Sequence, residues 1–263
     1  MVDFLDVLVD DAIKTVESGY YNFRVSGFIK RKVSLKEAIT NCKRAPIITE
    51  IKPASPSCGS LRVITGIKDL KGIARDMEDG GAIGISVLTE PKHFGGSITN
   101  LVEVKRCVNL PVLMKDIIVD PIQIEAAAEL GADAILLIYS VFKKGYLDYS
   151  VEDLIHLAQS MGLEVLLETH NKEEFLAALE TDADLVGINN RDLRTLKVNL
   201  YITKEILSNI DGCKKIIVSE SGIRKPEDIR FLWSCGAKAF LIGSAIMSAQ
   251  NIKEKVRELV MAI

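Results

Sequence analysis

Eight short apolar runs rich in β-branched residues recur along the chain: Pro46–Lys52, Ala82–Glu90, Pro111–Ile117, Ala134–Ser140, Glu164–His170, Leu185–Arg191, Lys215–Ser221 and Ala239–Ser244. Each reads as a strand buried on both faces. The segments between them carry apolar residues at helical spacing, as in Pro121–Leu130 (Ile122, Ile124, Ala126, Ala127, Leu130) and Val151–Met161 (Leu154, Ile155, Leu157, Ala158, Met161). Those are the expected crossover helices. Asp120-Pro121 resembles a helix cap followed by proline in the first turn, and Gly131, Gly162 and Gly236 stand where C-terminal glycines belong. Similar entries, Gly81-Ala82, Gly131-Ala132-Asp133-Ala134, Asp182-Ala183-Asp184 and Gly236-Ala237-Lys238-Ala239, precede every second strand, so a two-element unit recurs four times. The pattern predicts an α/β fold, a (β/α)8 TIM barrel over residues 46–263. Residues 1–45 carry Phe4, Leu8, Ala12 and Val16 at helical spacing. They predict an N-terminal helical extension packed on the barrel, one domain overall.

Composition is consistent with that reading. A chain of 263 residues is long for one average domain but ordinary for a barrel, and 48% hydrophobic residues supply a large core. The 33 Lys and Arg nearly balance 36 Asp and Glu, which argues against a polybasic nucleic-acid binder. The longest nearly apolar run, Ala134 to Phe142, is about half of the roughly 18 residues a membrane span needs. Asp3, Asp6, Asp10 and Asp11 near the start are unlike a secretory signal, so a cytoplasmic location is expected. The five cysteines, Cys42, Cys58, Cys107, Cys213 and Cys235, form no Cys-x-x-Cys pair, and an odd number favours reduced thiols over disulfides or thiolate zinc.

Barrel interiors are apolar, so a charged residue in a barrel strand belongs near its C-terminal end, where the active sites of this architecture lie. The first strand ends Glu50-Ile51-Lys52, the third Lys115-Asp116, the fifth Glu168, the sixth Asn189-Asn190-Arg191 and the seventh Glu220-Ser221. Glu50 and Lys52, two apart, share a face, whereas Asp116 is expected to point away from the face of Lys115. Glu50, Lys115 and Glu168 each follow their strand's first residue by four and should reach a similar height. Any one of them could mark only a strand end or a buried ion pair. A structural network spanning five strands, however, would carry a heavy desolvation cost, whereas converging carboxylates and ammonium groups are what acid–base chemistry requires. Ser221-Gly222 after the seventh strand and Gly243-Ser244 after the eighth occupy the loops that often hold phosphate in barrels, and Ser55-Pro56-Ser57 offers a further hydroxyl. No P-loop, dinucleotide fingerprint or His-Glu-x-x-His motif occurs, and His93, His156 and His170 do not cluster in sequence. Neither a metal nor a cofactor is expected.

These residues together resemble the indole-3-glycerol phosphate synthase family of the tryptophan pathway. The likeness runs from about Pro46 to the C-terminus through Glu50-x-Lys52-x-x-Ser55-Pro56, Leu88-Thr89-Glu90 with Phe94 and Gly96-Ser97, Lys115-Asp116 and Glu168. It continues through Gly187-Ile188-Asn189-Asn190-Arg191-Asp192-Leu193, Glu220-Ser221-Gly222-Ile223 and Leu241-Ile242-Gly243-Ser244. The resemblance implies ring closure of 1-(2-carboxyphenylamino)-1-deoxyribulose 5-phosphate with loss of carbon dioxide and water. It implies Lys115 as general acid, Glu168 and Glu50 as candidate bases and Lys52 as a second cation. Glu220 and Asn189 would orient substrate or lysines, with Arg191 on the polar rim and Ser55, Phe94, Ser221, Gly222, Gly243 and Ser244 binding substrate. Ile117 stands where the family often has an aromatic residue, and Ala54 where a basic one can occur. The expected partner is a small phosphorylated substrate, with neither nucleic acid nor membrane; association with other enzymes of the pathway leaves no mark in the sequence. Two other readings are a phosphoribosyl isomerase, which would use a Cys–Asp or Asp–Asp pair, and a catalytically silent phosphosugar-binding barrel, which would be expected to lack the lysine acid.

Overall fold

The computed structural model describes residues 4–23, 32–55, 59–193, 195–208, 210 and 213–263. Eight strands form its centre: β1 (Ile47–Ile51), β2 (Gly84–Leu88), β3 (Val112–Lys115), β4 (Ala134–Ile138), β5 (Glu164–Thr169), β6 (Leu185–Asn189), β7 (Ile216–Glu220) and β8 (Ala239–Ile242). Each pairs in parallel with its neighbour in sequence, and β8 pairs with β1, so the barrel closes without an edge. Consecutive residues point alternately inward and outward, and both sides are apolar. Ile48, Leu113, Leu136, Leu166, Leu185 and Val218 pack inside the barrel, whereas Ile47, Met114, Ile135, Val165, Val186 and Ile217 pack against the helices outside. This is why the strands read as unbroken hydrophobic runs rather than alternating ones.

The described helices are α1 (Phe4–Glu17), α2 (Leu35–Thr40), α3 (Ile67–Asp79), α4 (Ile98–Cys107), α5 (Pro121–Glu129), α6 (Tyr139–Lys143), α7 (Val151–Ser160), α8 (Lys172–Leu179), α9 (Tyr201–Leu207), α10 (Pro226–Ser234), α11 (Ser244–Met247) and α12 (Ile252–Val260). None is long and apolar enough to cross a membrane. Asp120 caps α5 through a capping box with Gln123, and Pro121 fills the first turn. The fourth strand is shorter than expected, because Tyr139 and Ser140 already form the first turn of α6. The apolar run crosses that boundary without a turn signal. A two-residue ribbon, Ala54–Ser55 against Gly59–Ser60, was not expected; segments this short have no periodicity to read.

The segment before β1 reaches both ends of the barrel. At the bottom, the Glu164 carboxylate at the start of β5 accepts hydrogen bonds from the backbone N–H groups of Leu35 (2.8 Å) and Lys36 (3.0 Å), seating the first turn of α2. Beside it, buried Lys105 donates to both oxygens of Asp133 at 2.7 and 2.6 Å, and Asp133 also accepts from the N–H groups of Val33 and Val112. Every lone pair is used, which is what makes a buried ion pair tolerable. At the top, α1 lies near the strands' C-terminal ends. Its Asp11 meets Lys92 at 2.7 Å and His93 at 2.9 Å in the loop after β2.

Candidate active site

The mouth of the barrel is a cavity lined by side chains from most of the strands, with Phe4 and Leu8 of α1 on one wall. Glu50, Lys52, Lys115, Glu168, Asn189 and Glu220 all line it, and so do Phe94, Arg191, Ser221, Gly222, Gly243 and Ser244. Ser55 pairs by its backbone with Gly59 in the ribbon, and its side chain lies outside the described residues. Pro56 and Ser57 lie outside the described residues.

Two ion pairs form the floor. Lys52 Nζ is 2.6 Å from Glu50 Oε2. Lys115 Nζ stands between two carboxylates, 3.2 Å from Glu168 Oε2 and 3.5 Å from Glu220 Oε2. The second contact is Coulombic only, since both Glu220 oxygens are buried without a hydrogen-bond partner. Burial alone would push the Lys115 ammonium down, but the charges of Glu168, Glu220 and Glu50 outweigh it and hold the proton above the ordinary lysine value. Burial would likewise raise Glu168, yet Lys115 and His170, with a hydrogen bond from Asn189, hold it well below the usual carboxylate range. Glu220 goes the other way. Burial pushes it up, Lys115 offsets only part of this, and the neighbouring Glu168 and Glu50 add to the rise, to about 8. Two carboxylates flanking one lysine therefore differ in protonation at neutral pH, an arrangement that separates base from proton carrier.

Glycines make room for these acids. A Cβ at Gly187, opposite Glu168 on β6, would collide with Glu220 Oε1, and one at Gly243 would collide with Glu50 Oε2 and stand 3.1 Å from its Cβ. After Glu220, Ser221 and Gly222 take φ of 66° and 84°. For the serine this left-handed backbone costs about 1–3 kcal/mol, strain that tends to persist at ligand-holding loops. A Cβ on Gly222 would also strike Val198 of the folded-back loop after β6, where Arg191 donates to the carbonyl of Leu196 at 2.9 Å.

Three partners escaped the sequence reading. Glu90 accepts hydrogen bonds from the N–H groups of Lys92 (2.8 Å), His93 (2.7 Å) and Phe94 (3.0 Å), fixing the loop that presents Phe94. Asp116 leaves the strand toward Tyr21, which donates at 2.9 Å, and takes a further bond from Thr89. Burial raises Asp116 to about 7 against those bonds. His170 lies 3.2 Å from Glu168. The alternation Glu168-x-His170 signals a shared face, but nothing in the sequence shows that the third neighbour, Glu174, folds back onto the same ring.

The fold and the charged groups converging on the mouth have the form of an enzyme built on a (β/α)8 barrel. The family model for indole-3-glycerol phosphate synthase matches residues 10–259. Two curated proteins of that name align over almost the whole chain. The one from Methanocaldococcus jannaschii is 46% identical over 255 residues, covering 95% of this chain and 91% of its own, and the one from Staphylococcus aureus is 36% identical over 261 residues, covering 98% and 97%. Among solved structures, the N-acetylmannosamine-6-phosphate 2-epimerase from Clostridium perfringens is similar with a TM-score of 0.61 at 16% identity, covering 84% of this chain and 94% of its own, a likeness of fold alone. The chain belongs to the indole-3-glycerol phosphate synthase family, carboxy-lyases of tryptophan biosynthesis.

Proposed function

We propose that this cavity converts 1-(2-carboxyphenylamino)-1-deoxyribulose 5-phosphate to indole-3-glycerol phosphate, carbon dioxide and water. The observation that carries the assignment of roles is the lysine between two unequally protonated carboxylates. The aromatic carbon bearing the carboxylate attacks the ketone; a carbon–carbon bond forms and the carbonyl electron pair moves to oxygen. Lys115 donates its proton there as the alkoxide develops, the step at which a nearby cation lowers the barrier most. The carboxylate then leaves as carbon dioxide, its bonding pair returning to the ring system. Loss of water needs one proton removed from the carbon beside nitrogen and one given to the departing hydroxyl. Ionised Glu168 takes the first. Lys52, paired with Glu50, stands ready to hold the substrate carboxylate or supply the second.

Protonated Glu220 donates a hydrogen bond to a substrate hydroxyl, and Asn189 and Arg191 complete the polar side. Phe94, Leu136 and Ile138 offer an apolar wall to the aromatic ring. The phosphate lies against Ser221-Gly222 and Gly243-Ser244, where α11 begins. No oxidant, metal or organic cofactor is needed to balance these steps. Where the isomerase reading needs a Cys–Asp or Asp–Asp pair, β1 and β5 carry Glu50 and Glu168. The test is incubation of the purified protein with the carboxyphenylamino-deoxyribulose phosphate while indole fluorescence is followed. Growth of product fluorescence supports the reading; a substrate that binds without turnover would favour the silent barrel.

A further inference from the structure

His170 has no step in the reaction above, yet it touches the residue that does. It follows Glu168 by two positions. Its Nε2 is 3.2 Å from Glu168 Oε1, whereas Lys115 meets Oε2. On the other side, Nδ1 lies 3.7 Å from Glu174 Oε2 and 3.5 Å from Ser140 Oγ. Glu174 is itself fixed, accepting from the backbone N–H of His170 at 2.9 Å and from the Ser140 hydroxyl at 2.9 Å. The ring is 10% exposed. A neutral imidazole carries one N–H, so in this buried place its other nitrogen would set a lone pair against a carboxylate; the imidazolium instead sets its charge between the two carboxylates, contacts that are Coulombic, since Nε2 has no hydrogen-bond partner.

We propose that His170 is a positioning residue, an imidazolium between Glu168 and Glu174 that keeps Glu168 ionised and so keeps the acidic proton on Lys115. The inference rests on Lys115 and Glu168 acting as set out under the proposed function. Once substrate closes the cavity to water, a buried ammonium–carboxylate pair is drawn toward proton transfer, which yields a neutral amine and a neutral acid. The amine is no longer an acid. A fixed cation on the far oxygen of Glu168 opposes that transfer. Burial would push His170 down, but Glu168 and Glu174 lift it to about 9. The other charged groups on this side are Lys143, Lys144 and Asp192, which line a second, smaller recess with the ring. Lys143 is bound to Glu173 at 2.8 Å and Lys144 to Asp6, so the two carboxylates next to the ring dominate its surroundings.

The first measurement uses the unaltered protein: the imidazole nitrogen shifts of His170 in 15N-histidine protein at pH 7.5. A doubly protonated ring is expected, and a neutral ring would overturn the proposal. The second follows the Glu168 carboxyl carbon by 13C NMR, its resonance assigned by loss in Glu168→Gln. In His170→Gln its titration midpoint should rise by about 1–3 pH units, the effect of removing an adjacent opposite charge, and in Glu174→Gln by less. The acid limb of the kcat profile should move with it, and His170→Arg should restore both. An unmoved carbon midpoint in His170→Gln would refute the role assigned to His170. Full turnover in Glu168→Gln would instead overturn the catalytic reading on which that role rests.

Discussion

Replacing Lys115 by methionine keeps most of the stem's packing and removes the proton, and the surroundings decide what that costs. Ordinarily, deleting one member of a buried ion pair costs about 3–5 kcal/mol, because a charge is left without a partner. Here Glu168 retains His170 at 3.2 Å, and Glu50 retains Lys52 at 2.6 Å. Glu220, raised to about 8, is already protonated at pH 6–7 and leaves no charge unpaired. At pH 6–7 the variant should therefore lose no more than about 2 kcal/mol of folding stability, well below the usual penalty. Turnover should fall by about 10²–10⁴ or more, roughly 3–5 kcal/mol of barrier, while substrate still binds. Single-turnover fluorescence and urea unfolding on the same preparation separate the two effects. A folded variant with near-normal turnover would refute the role of Lys115. A loss of about 3–5 kcal/mol at pH 6 would refute the argument that the remaining carboxylates are neutral or keep a cation.

Three further outcomes are expected. Ser244→Asp puts a like charge beside the proposed phosphate, so KM should rise at least tenfold with the thermal midpoint nearly unchanged; an unaltered KM would remove the phosphate from these loops. Gly243 is the poorer probe, since any side chain there also displaces Glu50. Stability should fall from about pH 5 toward pH 9. Glu220, raised from 4.5 to about 8, and Asp116, raised from 3.8 to about 7, hold protons in the folded state that the unfolded chain has released. His170, raised from 6.5 to about 9, contributes stability fully below pH 6.5 and loses it as pH passes 9. Glu168, held low, acts the opposite way only below about pH 4.5. Calorimetry should show a midpoint at least about 2–4 °C higher at pH 5.5 than at pH 9, and a flat profile would contradict these shifts. Prolonged dialysis against a chelator should leave turnover intact. Among the described residues, the group with metal-ligand geometry is Glu152, His156 and Asp182, at α7 and the approach to β6, and none of the three lines the mouth. Activity that vanished and returned with a divalent ion would overturn that expectation.

The strands were legible because burial on both faces leaves continuous apolar runs, and the strand-end charges were legible because the same burial makes them conspicuous. Glu50 and Lys52 could be paired from spacing alone, as strand geometry fixes their common face. Boundaries without a turn signal were not legible, as at Tyr139, where strand passes directly into helix. The short ribbon at Ala54–Ser55 was not legible either, since two residues have no periodicity to read. Asp116 was visible as a strand-end acid and Glu90 as part of a motif, yet their partners, Tyr21 for one and three loop N–H groups for the other, depend on how the loops fold. The unequal protonation of Glu168 and Glu220 was beyond sequence altogether. It arises from burial of both, from Lys115 standing closer to Glu168 with the imidazole beside it, and from the neighbouring carboxylates that raise Glu220, a matter of ångströms across the barrel.

Gly187 and Gly243 carry no functional group, and no step of the reaction is assigned to the Gly187 side chain position at all. Each nevertheless faces a carboxylate that occupies the volume where its own Cβ would be. In a scan of every substitution at every position, scored by growth without tryptophan, both should be as intolerant as the lysines. Alanine, the mildest replacement elsewhere, should already fail there. Intolerance of that kind would come from space, and adding back charge or hydrogen bonds would not relieve it. Recovery at Gly187 would require shortening its neighbour, Glu220→Asp, so that the two positions can change only as a pair.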